Sequence, residues 1–190
     1  MQSSVPFPTI KTARLVLREI LPQDVTELFE IHSDESLMRW YGSDPLKDIS
    51  GAEKLVASFA SWRTQPNTGT RWGIQLNGEH GLRGTCGLFG WNRAWRKCTI
   101  GYELATAAHG KGYMREALTA ALHWGFQNME LNRIEAQVNP ENEPSVRSLS
   151  HLGFRQEGLL REAGFWRGRY HDFFQYSLLR KDWEARNGGI

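Results

Sequence analysis

The chain has 190 residues, enough for one substantial core, and the expectation is a single domain over 1–190. Its 40% hydrophobic and 23% charged residues are an ordinary globular composition, with no repeat or low-complexity tract. No apolar run approaches the ~18 residues of a membrane span, and no N-terminal run resembles a signal peptide, so a cytoplasmic protein with no membrane partner is expected. The net charge of +2 is unevenly spread: residues 21–54 hold eight acids against three basic residues, a net of −5, and the remainder carries +7. These acids read as solvated helix faces whose collective field would still attract a cation. Cys86 and Cys98, the only cysteines, read as reduced thiols on neighbouring strands.

In chain order, residues 1–11 contain Pro6 and Pro8 and are expected to be loose or an edge extension. Residues 14–20 alternate as a first strand, and Pro22-Gln23-Asp24 opens a helix with Val25, Leu28, Phe29 and Ile31 inward. A turn-rich stretch over 34–49 leads to a second helix over 51–62. Three antiparallel strands follow, at 71–76, 82–89 and 97–104, with a hairpin loop at Asn77-Gly78-Glu79-His80-Gly81. A strand at 133–138 precedes a helix capped by Asn142 and closed by Gly153. Strands at 154–160 and 171–179 flank a polar connection over 161–170, and 181–190 is expected to fray. The order β-α-α-β-β-β-α-β-α-β-β gives an α/β domain, a mixed sheet of seven strands with helices on both faces.

The chain is organised around 99–129. A strand ending at Leu104 meets a helix carrying Leu118, Ala121, Leu122, Gly125, Phe126 and Met129 inward, and His109-Gly110-Lys111-Gly112-Tyr113-Met114 makes the corner. The first N–H groups of such a helix lack intrahelical partners, and glycines at 110 and 112 let an anion approach them. A G-x-G corner is also a common tight turn. No stretch fits a Walker A loop, and Arg115 stands where a dinucleotide fingerprint needs a small residue, so what remains is a one-turn pyrophosphate cradle.

Six motifs in register carry a family resemblance: Thr12-Ala13-Arg14-Leu15-Val16-Leu17-Arg18, Ile100-Gly101-Tyr102-Glu103-Leu104, the glycine loop with Glu116-Ala117-Leu118, Leu131-Asn132-Arg133-Ile134, Asn142-x-x-Ser145, and Leu152-Gly153-Phe154 with Glu157-Gly158. Together they resemble the GNAT superfamily of acetyl-CoA-dependent N-acetyltransferases, in its RimJ/RimL-like branch of ribosomal-protein N-terminal acetyltransferases, over nearly the whole chain. There are departures. His109 and Met114 differ from the superfamily's [Q/R]-x-x-G-x-[G/A] at the ends of the loop. Leu149 stands near where many relatives carry a general-acid Tyr, and Gly164 where one branch member type has a Glu to pair with the helix-start Ser.

The resemblance implies a GNAT fold splayed between the fourth and fifth strands, beyond Leu104 and Val138. It implies acetyl-CoA as co-substrate, its pyrophosphate over His109, Gly110, Lys111, Gly112, Tyr113 and Met114, and its pantetheine arm along Tyr102, Leu104 and Ala105. Asn142 would bond that arm or simply cap its helix. Ser145 would protonate the leaving thiolate or only cap, and a backbone N–H near Leu104 or Ala105 would polarise the thioester carbonyl. Glu103 is the candidate general base, with an ion pair as its alternative role. Trp40, Tyr41, Asp34 and Glu35 are the candidate acceptor wall. A site without an unmistakable base suits an α-amine better than a lysine-like amine. The expected acceptor is therefore a protein N-terminus, a ribosomal protein among the candidates, or an aminoacyl conjugate. A small free amine and a non-catalytic coenzyme-binding module are the alternatives, and a homodimer is compatible with either. Trp91-Asn92-Arg93-Ala94-Trp95-Arg96-Lys97 mixes aromatic and basic residues but reads as an exposed turn rather than a nucleic-acid site. The six His lack ligand spacing, so no metal is expected.

Overall fold

The structure, a computed structural model, describes residues 6–64 and 68–187. Eight strands form one sheet in the order β1-β2-β3-β4-β5-β6-β8-β7. They are β1 (Ile10–Lys11), β2 (Leu15–Arg18), β3 (Gly69–Leu76), β4 (Gly84–Asn92), β5 (Lys97–Leu104), β6 (Arg133–Val138), β7 (Arg155–Trp166) and β8 (Arg169–Leu179). All neighbours are antiparallel except β5 and β6, as the α4 crossover between them requires. The helices are α1 (Val25–Ser33), α2 (Glu35–Met38), α3 (Ile49–Ser61), α4 (Tyr113–Asn128), α5 (Glu143–Leu152) and α6 (Arg180–Asn187).

Strand alternation divides the core between two faces. Leu15, Leu17, Trp72, Ile74, Cys86, Leu88, Cys98, Ile100, Ile134 and Leu178 point toward α4, α5 and α6 and meet Leu118, Leu122, Leu149 and Trp183. On the other face Ile20 and Leu82 pack against Leu28 of α1 and Ala52, Val56 and Phe59 of α3. Helices therefore cover both faces, as the element order implies. Cys86 and Cys98 are buried free thiols.

Four expectations need correction. The sheet gains an eighth strand because Ile10 and Lys11 pair with Leu17 and Val16, while the Trp72 indole N–H donates to Pro8 O at 2.7 Å, so part of 1–11 is held; residues 1–5 lie outside the description. The segment expected to fray is helical over 181–187, because Trp183 is buried against the Phe126 ring. The polar connection over 161–170 is instead the ends of two long strands joined at Arg167-Gly168, both at positive φ as a two-residue hairpin turn demands. Finally, β5 and β6 pair only over 97–99 and 133–135, so the splay opens at Thr99 and Glu135, well before Leu104 and Val138.

Candidate active site

The glycine corner has the backbone geometry that an anion seat needs. Gly110 and Gly112 both take positive φ, +73° and +77°, where side chains are strained, and Gly112 is the N-cap of α4 with no capping side chain. The first N–H groups of α4 are thus left for a ligand. The loop is clamped from the far side of the chain. Glu116 accepts from Thr12 Oγ1 at 2.6 Å, from Arg14 N at 2.9 Å and from Arg14 Nε at 2.7 Å, and Arg14 Nη1 donates to Lys111 O at 2.9 Å. The Arg14 guanidinium also lies over the Tyr113 ring, 4.8 Å from its centroid. Tyr113 and Met114 pack toward the core, so they offer the ligand their backbone rather than their side chains.

Beside the loop lies the splay. Ala105 N donates to Arg83 O at 2.7 Å, which makes Gly84 and Leu104 a non-hydrogen-bonded pair of the β4–β5 ladder. By alternation the backbone N–H and C=O of Tyr102 and Leu104 point away from β4, into the cleft. The same argument, from Arg180 N donating to Asn132 O, turns the Gln137 backbone into it from β6. This corrects one expectation: the Ala105 N–H is already engaged, so Leu104 supplies the free donor. Leu104 O is held by His109 Nε2 at 2.8 Å, so the His109 ring braces the strand end. Across the cleft Tyr102 Oη and Ser145 Oγ share a hydrogen bond of 2.7 Å, and Asn142 Oδ1 accepts from Ser145 N at 3.3 Å as the N-cap of α5. Burial pushes the Tyr102 hydroxyl up to about 12, with the Ser145 bond opposing, so it stays protonated at neutral pH.

Glu103 points to the opposite face from Tyr102, into a buried polar cluster. Its carboxylate pairs with Arg71 and accepts from Thr85, and Arg71 Nε donates to Thr85 Oγ1 at 2.7 Å. Tyr41 Oη accepts from Arg71 at 3.1 Å, and His32 Nε2 lies 3.5 Å from Glu103. Burial alone would raise the Glu103 carboxyl, but the Arg71 guanidinium, with His32 and Thr85, outweighs it and holds it below the ordinary glutamate range. A carboxylate so committed is a poor proton acceptor, which argues against Glu103 as a direct base.

The four candidate wall residues are dispersed rather than assembled. Tyr41 joins the Glu103 cluster, and Trp40 lies under the Arg39 guanidinium. Asp34 caps α2 and accepts from Thr106 at 3.1 Å, which ties α2 to the end of β5. Glu35 pairs with Arg167 at 3.0 Å, Arg167 N donates to Asp44 at 2.7 Å and the Trp166 indole donates to Arg39 O at 3.3 Å, which ties α2 to the β7–β8 turn. So α2 bridges the open end of the splay. Of the acids of 21–54 that border it, Glu35 is paired with Arg167, while Asp34 and Asp44 are held by hydrogen bonds.

A family model described as acetyltransferase (GNAT) domain matches residues 14–155, three-quarters of the chain, including Arg14 and Glu116 of the clamp, the glycine loop and the splay. The chain belongs to the GNAT acetyltransferases. It is 33% identical to the uncharacterized N-acetyltransferase YoaA of Bacillus subtilis strain 168, over 92% of this chain and 98% of that protein. It is 27% identical to the [Ribosomal protein uS5]-alanine N-acetyltransferase of Escherichia coli strain K12, over 96% of each. Its fold matches the Vibrio cholerae spermidine N-acetyltransferase solved with CoA and spermine, at a TM-score of 0.79 and 24% identity, over 90% of this chain and 99% of that one. The RimJ/RimL-like resemblance therefore stands, and the activity is acetyl-CoA-dependent N-acetyl transfer.

An acetyltransferase of this family takes its acetyl group from acetyl-CoA, and the residues fit that donor: an uncapped helix N-terminus for a pyrophosphate, and free strand edges for the amides of its arm. Sequence reasoning quoted Thr12, Arg14 and Glu116 as motif positions but missed that they form one clamp. It also missed Arg71, Thr85 and His32, which lie on three separate elements and carry no local signal. Among the described residues no group of three or more side chains is placed to hold a metal, and no helix is long and apolar enough to cross a membrane.

Proposed function

We propose that this GNAT enzyme acetylates the α-amino group of a polypeptide N-terminus or an aminoacyl conjugate, by direct attack within a ternary complex. The observation that carries the reading is the commitment of Glu103 to Arg71, which withdraws the one carboxylate of β5 from deprotonating a strongly basic amine. An α-amine of pKa about 8 is roughly one-tenth neutral at pH 7, whereas a lysine-like amine of pKa about 10.4 is neutral in about one part in 2,500. The difference is about 3 kcal/mol that the site would have to supply. A ribosomal protein is the leading acceptor candidate, because a full-length relative acts on ribosomal protein uS5.

Acetyl-CoA supplies the acetyl thioester. In this reading the α4 N-terminus and the clamped loop 109–114 hold its pyrophosphate, Tyr102 and Gln137 pair with its arm, and the Leu104 N–H polarises the carbonyl. Tyr102 donates to Ser145 Oγ, which frees the Ser145 proton for the departing sulfur. The α-ammonium first gives one proton to water; once the neutral amine has added to the carbonyl and the C–S bond breaks, a second proton passes from nitrogen through water to Ser145 Oγ, replacing the one given to the sulfur.

A second reading, a polyamine acceptor, draws on a cavity of about 580 Å³ between α1, the β3–β4 hairpin and 105–113, lined by Glu27, Glu30 and Asp34. Its lining includes no residue of β6 or α5, but it shares Thr106 with the end of the splay and Lys111 and Tyr113 with the glycine loop. Thiol release from acetyl-CoA over a panel of N-terminal peptides, free amino acids and polyamines tests the proposal. Turnover confined to polyamines would refute it.

A further inference from the structure

We propose that a slot between α2 and the β7–β8 turn reads a carboxylate on the acceptor, so that the enzyme prefers α-amines flanked by an acidic group. This rests on the α-amine reading above and narrows it. The slot, about 470 Å³, is lined by Glu35, Ser36, Arg39, Arg167, Arg169 and His171. Glu35 and Arg167 pair and neutralise each other. Arg39 and Arg169 are exposed and have no carboxylate partner among the described residues; the Arg39 guanidinium only stacks on the Trp40 ring, 4.8 Å from its centroid, which leaves its edge N–H groups open. The slot therefore presents two uncompensated guanidinium groups. Planar forked donors of this kind match a carboxylate at two points and repel a polyamine.

The slot is also built and well placed. His171 is 6% exposed, stacks on Trp166 at 3.4 Å and 11°, and its Nε2 donates to Trp166 O at 3.2 Å, since a carbonyl only accepts. It makes a fixed floor. In the β8 alternation His171 and Arg169 lie opposite Phe174, Tyr176 and Leu178, which face α5 and α6, so they share the sheet face of Glu103. The contacts from α2 to Thr106 and to Trp166 set the slot at the open end of the splay, where an acceptor meets the arm of the coenzyme from the other face.

The carboxylate has two sources: the side chain of the residue after the acetylated one, or the α-carboxylate of a free amino acid. Steady-state kinetics with three peptides identical except for Asp, Ala or Lys after an N-terminal Ser, and with free serine, separates them. The Asp peptide is expected to exceed the Ala peptide in kcat/KM by about tenfold, the order of one charge-assisted contact, and the Lys peptide by more. Free serine outpacing every peptide supports the slot with the α-carboxylate as its source. Arg39→Glu with Arg169→Glu should invert the order in favour of the Lys peptide. Equal rates on the three peptides with serine no better, or a wild-type preference for Lys, overturn the slot alone. Acetylation of spermidine with no α-amine accepted overturns the reading beneath it.

Discussion

Gly112→Asp tests the anion seat most directly, because the change places a carboxylate where the pyrophosphate is proposed to bind. Left-handed φ costs a side chain roughly 1–2 kcal/mol, less for Asp, whose short side chain tolerates it. Against that, Asp at the N-cap would satisfy an orphan N–H of α4, a gain of about 1 kcal/mol. The added Cβ would lie 3.4 Å from Arg14 Nη2, within reach of a further ion pair. The opposing effects nearly cancel, so the melting temperature should move by less than about 4 °C in a chain of this size. Coenzyme binding should not survive. The new carboxylate occupies the helix N–H groups itself, and losing two charge-assisted hydrogen bonds at about 1.5–3 kcal/mol each weakens affinity by ~10²–10⁴-fold. Calorimetric titration with coenzyme A measures it, beside thermal melts. Gly112→Ala carries the strain without the charge, and should lose more stability and less affinity than the Asp variant. Wild-type affinity in a folded Gly112→Asp protein would refute the seat. Equal losses in both variants would shift the cause from charge to backbone.

Four further outcomes follow from the same geometry. Ser145→Ala and Tyr102→Phe should each lower kcat with the acceptor KM little changed, and the double variant should lose little more than either, since they share one hydrogen bond; additive losses would separate their roles. Glu103→Gln strands Arg71 in the interior and should cost about 3–5 kcal/mol of stability in a denaturant titration, with the acidic limb of the pH–rate profile unmoved; a shifted limb would restore Glu103 as the base. Because the folded Glu103 pKa is depressed, its pair stabilises fully above the ordinary glutamate value of about 4.5 and is lost as pH falls through the lowered value, so the stability gap between wild type and the Gln variant should be full above about pH 4.5 and close on further acidification. Trp183→Ala should lower the melting temperature by on the order of 10 °C, whereas a fraying tail would show no change. The Cys86 thiol, pushed up to about 12 by burial, should resist a thiol reagent in the native state and react at once on unfolding.

The backbone geometry of the glycine corner was legible in the sequence because its physics is local. Two glycines, a helix start and the strand before it lie within a few residues, and each signals its own backbone state. Ser145 and Asn142 are similarly marked by a helix N-terminus. The surroundings of Glu103 were not legible, because their geometry depends on distant pairings. Nothing near Glu103 announces that Arg71, from a strand two places away in the sheet, will reach its carboxylate. Nothing in Arg161–Tyr170 distinguishes a polar loop from a long hairpin, since the solvated strands of a sheet's edge carry the same polar residues. The tail misled for a like reason: one Trp among charged residues is a weak signal until Phe126 supplies the partner.

The pairing of β5 also explains why the two halves are built from neighbouring residues. Tyr102 and Glu103 are adjacent, yet pleating sends one to Ser145 on the α5 face and the other to Arg71 on the α1 and α3 face. A single strand thus carries the partner of Ser145 on one side and a fixed anion on the other, with only its own thickness between them. The buried Arg71–Glu103 pair need not exchange protons to matter, since it holds the β3, β4 and β5 strands in register through Thr85 and so fixes where the Leu104 N–H points. Thr12, Arg14 and Glu116 do the same for the loop from the opposite edge of the sheet. Both arrangements place charged side chains behind the reacting backbone rather than against the substrate. That is the order expected if, as proposed, the donor is bound by main-chain groups and the acceptor is an α-amine whose proton is easily lost.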